Sequence, residues 1–253
     1  MALVTLCATY LLFSPLVSCA VDSDAPGLSQ RPVLLLISLA GLALVPFLLI
    51  MVTSFLKLSV VFSIVRSALG THQIPPNQVL IGLALILSIH IMMPVATDIY
   101  GAVDGILRAR TVAGAAAGGL GDMDLETLTE LFEKGRRPLE HFLFKNSHLR
   151  ERNMFLDLGR KMRSKEERTG LVDKDFSVLV PAFVISELKE AFQIGFLVFL
   201  PFLVIDMVVA NILMAMGMFM LSPTQVSLPF KLLLFVLVDG WHVLSKGLIM
   251  GYL

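Results

Sequence analysis

Five apolar runs close to bilayer-crossing length constrain this chain more than any other feature. They cover 32–54, 79–97, 178–200, 202–221 and 228–253, with Pro201 between the third and fourth. About 20 mostly apolar residues suffice for a helix to span a membrane. Inside lipid, only helices or closed barrels satisfy every backbone N–H and C=O. The runs predict an all-α, integral membrane-type fold of helical hairpins. The first run is open to continuing through Lys57 to Leu69. With 56% hydrophobic residues and a mean hydropathy of +0.82, the chain has the composition of a membrane protein rather than a soluble domain. Its net charge is zero, so composition points to no nucleic-acid partner.

Charge is concentrated in the middle. Of the 40 charged residues, 28 lie between Asp98 and Asp175, 14 of each sign. That sets 98–177 apart as an extramembrane helical segment between an N-terminal hydrophobic hairpin (32–97) and C-terminal hydrophobic helices (178–253). Within it, AGAAAGGLG (113–121) is a flexible Ala/Gly stretch. The following MDLETLTELFEKGRRPLEHFLF predicts an amphipathic helix with Leu125, Leu128, Leu131 and Phe132 on one face. Asp122 or Asp124 would start it, and Gly135 with Pro138 would end it. A second helix is predicted over 148–162. KMRSKEER reads as a solvated charged face.

The first twenty residues, MALVTLCATYLLFSPLVSCA, resemble a secretory signal peptide, with Ser18 and Ala20 at the spacing of a cleavage site. A short polar linker, 21–31, follows. An uncleaved anchor, or lipidation of Cys19 within LVSC, are the alternatives. Cys7 and Cys19 are the only cysteines. A chain cut after Ala20 would have no thiol chemistry, disulfide or thiolate metal site.

MAMGMFMLSP, 214–223, places methionines at every second position: Met214, Met216, Met218 and Met220. A helix face repeats every three to four residues, so these do not form one core stripe. Gly217 interrupts them, and Ser222-Pro223 stops any helix. Methionine is flexible and fills irregular gaps. A ring of such side chains from several copies could close a pore and still deform. The alternative is an ordinary interhelical turn with methionine as filler.

Ionisable residues within the apolar runs are expensive in lipid and face a partner or a cavity. They are Lys57, Arg66, Glu187, Lys189, Glu190, Asp206, Lys231, Asp239 and Lys246. Lys57 and Arg66 fall on opposite faces of a straight helix. Glu187 and Glu190 share a face that Lys189 does not. Asp239, His242 and Lys246 are spaced to share another. Polar seams between subunits or a lined conduit would use them; so would a location out of deep lipid. Catalytic patterns are thin. No histidines pair at metal-ligand spacing, His90 reads as a hydrogen-bonded structural residue, and there is no GxSxG, P-loop or dinucleotide fingerprint. No enzymatic activity, cofactor or metal is expected.

The segment MVTSFLKLSVVFSIVRSALGTHQIPPNQVLIGLALILSIHIMMPV, 51–95, closely resembles the FliP/SctR family. It carries Thr53, Ser54 and Phe55, then Arg66, Ala68, Leu69, Gly70, Gln73, Pro75 and Asn77, and finally Pro94. PAFVISELKEAFQIGFLVFLPFLVIDMVVANILMAMGMFMLSP and VSLPFKLLLFVLVDGW resemble it as well, so the likeness runs from about Pro32 to Leu253. The Ala/Gly stretch looks like a local insertion. The resemblance implies a core subunit of the type III secretion export gate, the channel through which unfolded proteins leave across the bacterial inner membrane. It implies a pentameric homo-oligomer assembling with two small subunits of the FliQ/SctS and FliR/SctT types. The larger FlhB/SctU-type protein and a surrounding membrane ring are further expected neighbours. It also implies hairpins lifted above the bilayer plane, with their charges paired between subunits.

The family's methionine gasket falls here on Met218, Phe219 and Met220, with Phe219 departing from an all-methionine version. MLSP and LSKGLI look closer to the virulence-type member, SctR; the signal-like start is more familiar from flagellar members. With a cleaved signal, the loop 57–78 faces the cytoplasm, in keeping with the positive-inside bias. The charged middle block then returns to the periplasmic side. A secondary transporter would predict repeat symmetry, and none is visible. An intramembrane enzyme would predict a nucleophile with its base.

Overall fold

The computed structural model describes residues 39–41, 43, 44, 47, 50–71, 74–112, 125–163 and 172–253, the main chain alone at 106–112, 125–128 and 130–132. The signal-like segment, the linker, the Ala/Gly stretch, Gln73 and the predicted face of Leu125, Leu128, Leu131 and Phe132 lie outside the described residues or side chains. Two units divide the chain, Met1–Leu49 and Ile50–Leu253. The described residues of the first are helical.

In the second unit every regular element among the described residues is a helix. These are α1 (Phe55–Leu69), α2 (Asn77–Val112), α3 (Leu125–Lys145), α4 (Leu149–Met162), α5 (Phe176–Ala215), α6 (Pro223–Leu237) and α7 (Gly240–Met250). The fold is all-α, as the apolar runs predict.

Helix α1 is the centre of the core. Leu58, Val61, Phe62, Val65, Ala68 and Leu69 recur at helical spacing and are buried. It packs chiefly on α5 and also on α2 and α6. Gly70 caps it at φ 75°, a left-handed position that glycine takes without a Cβ penalty. Thr53 and Ser54 interrupt the helix ahead of it, so the first apolar run does not continue straight to Leu69. The buried Ser54 hydroxyl lies 3.1 Å from that of Ser88, tying the start of α1 to α2.

Helix α5 is the spine, touching α1, α3, α4 and α6. It contains both Pro181 and Pro201, so the third and fourth apolar runs form one continuous helix rather than a hairpin. A proline removes one backbone bond, and packing of the neighbouring turns can hold the helix across it. Phe202, immediately after Pro201, is buried against Phe235 of α6 at 6.4 Å. Likewise Gly135 and Pro138 lie inside α3 rather than ending it. Helix α2 continues past Thr97, so the boundary expected at 97/98 falls within a helix. Helix α4 begins after His148 as predicted.

The last apolar run is not one helix. Asp239, at φ 52°, separates α6 from α7, which meet at 59°. Asp239 therefore does not continue the α7 face of His242 and Lys246. Gly240 is needed at this bend, because a Cβ there would lie 2.3 Å from the Phe235 ring.

Among the described residues, two helices are long and apolar enough to cross a membrane, Asn77–Gly105 and Phe176–Ala215, and the bent pair α6–α7 would make a third. Within the most apolar stretches of the first two, only 22% and 11% is buried. Such apolar surface exceeds what a soluble monomer exposes, so lipid or other chains must cover it.

Candidate functional site

The methionine segment forms a capped loop between α5 and α6. Helix α5 ends in a Schellman motif: the Met218 N–H donates to Leu213 O at 2.9 Å and the Gly217 N–H to Met214 O at 3.0 Å. Gly217 supplies the left-handed turn at φ 73°. Ser222 precedes α6, and Pro223 opens it, where a missing N–H costs nothing. Met214 thus sits in the last turn of α5 and Met216 caps it, while Met218 and Met220 lie in the non-helical loop beyond. Met220 is 101% exposed, Phe219 79% and Met218 45%. Met214 and Met216 are exposed as well. None of the other described residues of the second unit covers this apolar tip.

The ionisable residues sort into two buried clusters and a remainder. In the first, Lys57 of α1 donates to Glu190 Oε2 at 2.6 Å and lies 3.3 Å from Glu187 Oε1, both on α5. Lys57 and Glu187 are almost fully buried. The Tyr252 hydroxyl donates to the other Glu187 oxygen, and the Lys57 ammonium sits 4.2 Å from the Tyr252 ring centroid. Burial pushes the Tyr252 phenol above its ordinary range, so it keeps its proton and acts as donor. His148 Nε2 lies 3.1 Å from Glu190 Oε1, and the His148 N–H donates to Ser186 Oγ at 2.9 Å. Lys189 points away, toward Glu151 at 3.4 Å.

In the second cluster, Lys231 of α6 donates to Asp206 of α5 at 2.6 Å and to Ala68 O near the end of α1 at 3.1 Å. Ser227 also donates to Asp206. The site of an added Gly70 Cβ lies 3.8 Å from Lys231 Nζ. The family-type Arg-x-Ala-Leu-Gly segment therefore ends where three helices meet. Pro75 and Asn77 lead into α2.

Lys57, Glu187, Glu190, Asp206 and Lys231 thus close on partners within one chain. A single chain already has opposite charges on helices that pack together. Arg66 is half-buried, and Asp239 and Lys246 are exposed; none joins either cluster. Sequence reasoning missed Tyr252, Ser227 and Glu151, which carry no spacing signal, since their partners lie on distant segments. Among the described residues no three His, Cys, Asp or Glu side chains gather to hold a metal ion.

The FliP family model matches residues 38–248, which takes in the methionine loop, the second cluster and all of the first but Tyr252. The chain belongs to the FliP family. Within that family it is 44% identical over 220 residues to the Yop proteins translocation protein R of Yersinia pestis, covering 86% of this chain and 95% of that one. It is 42% identical over 231 residues to the flagellar biosynthetic protein FliP of Bacillus subtilis, covering 91% and 96%. It is 41% identical over 225 residues to the virulence protein YscR of Salmonella typhimurium, covering 89% and 99%. The FliP-family likeness expected from 51–95 and the C-terminal half is borne out.

Proposed function

We propose that this chain is a core component of a type III secretion export apparatus, embedded in a bacterial inner membrane. It acts there as a channel subunit rather than an enzyme. Several copies, five by family resemblance, assemble with the two small FliQ/SctS-type and FliR/SctT-type subunits. The FlhB/SctU-type protein and a membrane ring adjoin them, and unfolded proteins pass through the assembly. The observation that carries this reading is the apolar tip Met218-Phe219-Met220. It is held rigidly at its base by the α5 cap and Pro223, yet it is uncovered. Copies arranged about one axis would bring these tips together as a soft, apolar constriction. Methionine suits that task because it re-packs around varied surfaces. Phe219 makes this constriction stiffer than an all-methionine one.

The wide apolar faces of α2 and α5 supply surface for the neighbouring copies and for lipid. We place the middle helices on the periplasmic side, and we favour a virulence-type system on the strength of MLSP and LSKGLI. The experiment is single-channel recording of the assembled complex in a planar bilayer. Met218→Ala with Met220→Ala is expected to raise resting conductance to small ions. Unchanged conductance in an assembled complex would remove the constriction from this loop.

A further inference from the structure

Helix α4 buries two charged side chains, and only one of them has an opposite charge beside it. Glu151 lies 3.4 Å from Lys189 of α5. Arg152 is 8% exposed, and its Nε and Nη1 have no hydrogen-bond acceptor. Its guanidinium sits 3.7 Å from the centre of the Phe144 ring of α3. Lys174, in the turn before α5, holds its ammonium 5.7 Å from the centre of the same ring. Among the described residues no carboxylate pairs with either cation. Asp175, next to Lys174, accepts the Val172 N–H at 2.9 Å. Glu140, one turn before Phe144 on α3, and Asp173 lie on the same elements and form no ion pair with them. A ring face offsets part of the desolvation of a guanidinium. Unmet donors and an unpaired charge leave the rest uncompensated. The chemistry that completes this corner is a carboxylate.

Its surroundings point to where that carboxylate comes from. Leu149, one turn before Arg152 on the same side of α4, is exposed, and so is Val172, two residues before Lys174. A soluble anion would leave both apolar side chains in water. A protein segment bearing a carboxylate among apolar side chains would cover them, and arginine is a favoured anchor of such contacts. A second copy of this chain is poorly suited to the task. The exposed carboxylates described on its α3 and α4 are Glu133, paired with Arg136 at 3.5 Å, and Asp157. Arg160 and Lys161 flank Asp157 at i+3 and i+4, so a copy would bring cations to a cation. We infer that the Arg152–Phe144–Lys174 corner docks an acidic segment of a different protein, its carboxylate held by the Arg152 guanidinium with Lys174 beside it. This rests on the reading that the chain works within an assembly.

The test is zero-length cross-linking in membranes of bacteria that carry the complete apparatus. A water-soluble carbodiimide joins a lysine amine to a carboxylate in contact with it, and peptide mapping of the full chain reads what Lys174 is joined to. An Asp or Glu of a different protein is expected. Lys174 joined to no other chain would overturn the inference, as would Lys174 joined to a second copy. Arg152→Met keeps an apolar stem on the Phe144 ring and removes the unpaired charge. The chain purified alone should then melt no lower than the parent. The Lys174 cross-link should fall about tenfold, the loss of one charge-assisted hydrogen bond, with any coupling at Lys161 unchanged. A lower melting temperature with an unchanged Lys174 cross-link would make Arg152 a structural stack and overturn the inference. Sodium acetate and sodium sulfate are titrated against the chain purified alone, with acetylation of Lys174 as the readout. Protection by either salt at low concentration would make this a soluble-anion site and overturn the protein assignment. Native mass spectrometry of the same membranes in mild detergent separates two failures. A complex in which Lys174 is unjoined overturns this inference alone, whereas a chain found without other proteins overturns the assembly reading with it.

Discussion

Replacing Lys57 by methionine tests the first buried cluster most sharply. The change keeps the length and apolar stem of the side chain, and the new side chain can still lie under the Tyr252 ring. It removes the cation 2.6 Å from Glu190 and 3.3 Å from Glu187. Glu187 is fully buried and keeps only the Tyr252 hydroxyl; Glu190 is part-exposed and keeps His148. Breaking a buried pair by removing one partner costs about 3–5 kcal/mol, chiefly because the other charge is left uncompensated. For a domain of this size that corresponds to a fall in melting temperature of roughly 6–20 °C. Glu187→Gln alone is milder. Glutamine keeps the shape and accepts from Tyr252, and Lys57 retains Glu190, so the cost is about 1 kcal/mol. The double variant, Lys57→Met with Glu187→Gln, is then more stable than Lys57→Met alone by about 1–2 kcal/mol, a coupling of about 2–3 kcal/mol less the cost of Glu187→Gln itself. Thermal unfolding in mild detergent, followed by the loss of the monodisperse peak on size exclusion, reads all three. A double variant no more stable than Lys57→Met would refute the reasoning, because the stranded carboxylate would not be the source of the cost.

Three further outcomes are expected. Gly195→Ala would set a Cβ 2.5 Å from Ile64 Cδ1 and 3.2 Å from its Cβ, wedging α5 off α1. It should cost about 1–3 kcal/mol, and the Ile64→Val background should soften the loss in the same melting assay. Lys231→Met removes the donor shared by Asp206 and Ala68 O, at about 1.5–3 kcal/mol for charged hydrogen bonds. Because the pair joins α6 to α1 and α5, limited proteolysis should then cut the loop before Pro223 sooner; an unchanged cleavage rate would mean the pair does not hold α6 in place. Gly217→Ala forces a Cβ into the left-handed turn at φ 73°. It should cost roughly 1 kcal/mol and shift the loop tip, seen as altered resting conductance beside an intact complex.

How much of this was legible in the sequence depended on whether the signal was local. The methionine loop was, because Gly217 and Ser222-Pro223 act within a few residues, and the structure uses them as a cap and a helix start. The core face of α1 and the shared face of Glu187 and Glu190 follow from helical spacing in the same way. Pro201, Gly135 and Pro138 show the reverse. Each is a strong local breaker that packing along α5 or α3 overrides, so expected boundaries vanish into longer helices. The break at Asp239 was hidden for a related reason: aspartate in a left-handed turn leaves the apolar pattern intact, and the aromatic packing at Gly240 is a tertiary event. The partners of the buried charges were beyond reach. Lys57 and Glu190 are 133 positions apart, and no spacing rule connects them. Within one chain the most buried of these charges, Lys57, Glu187 and Lys231, already have opposite charges beside them.

The most direct measurement of the central claim is native mass spectrometry of the chain purified in mild detergent after co-expression with its two small apolar partner proteins. An export-gate subunit predicts a discrete complex containing several copies of this chain and both partners. A monomer or dimer that retains neither partner would contradict it.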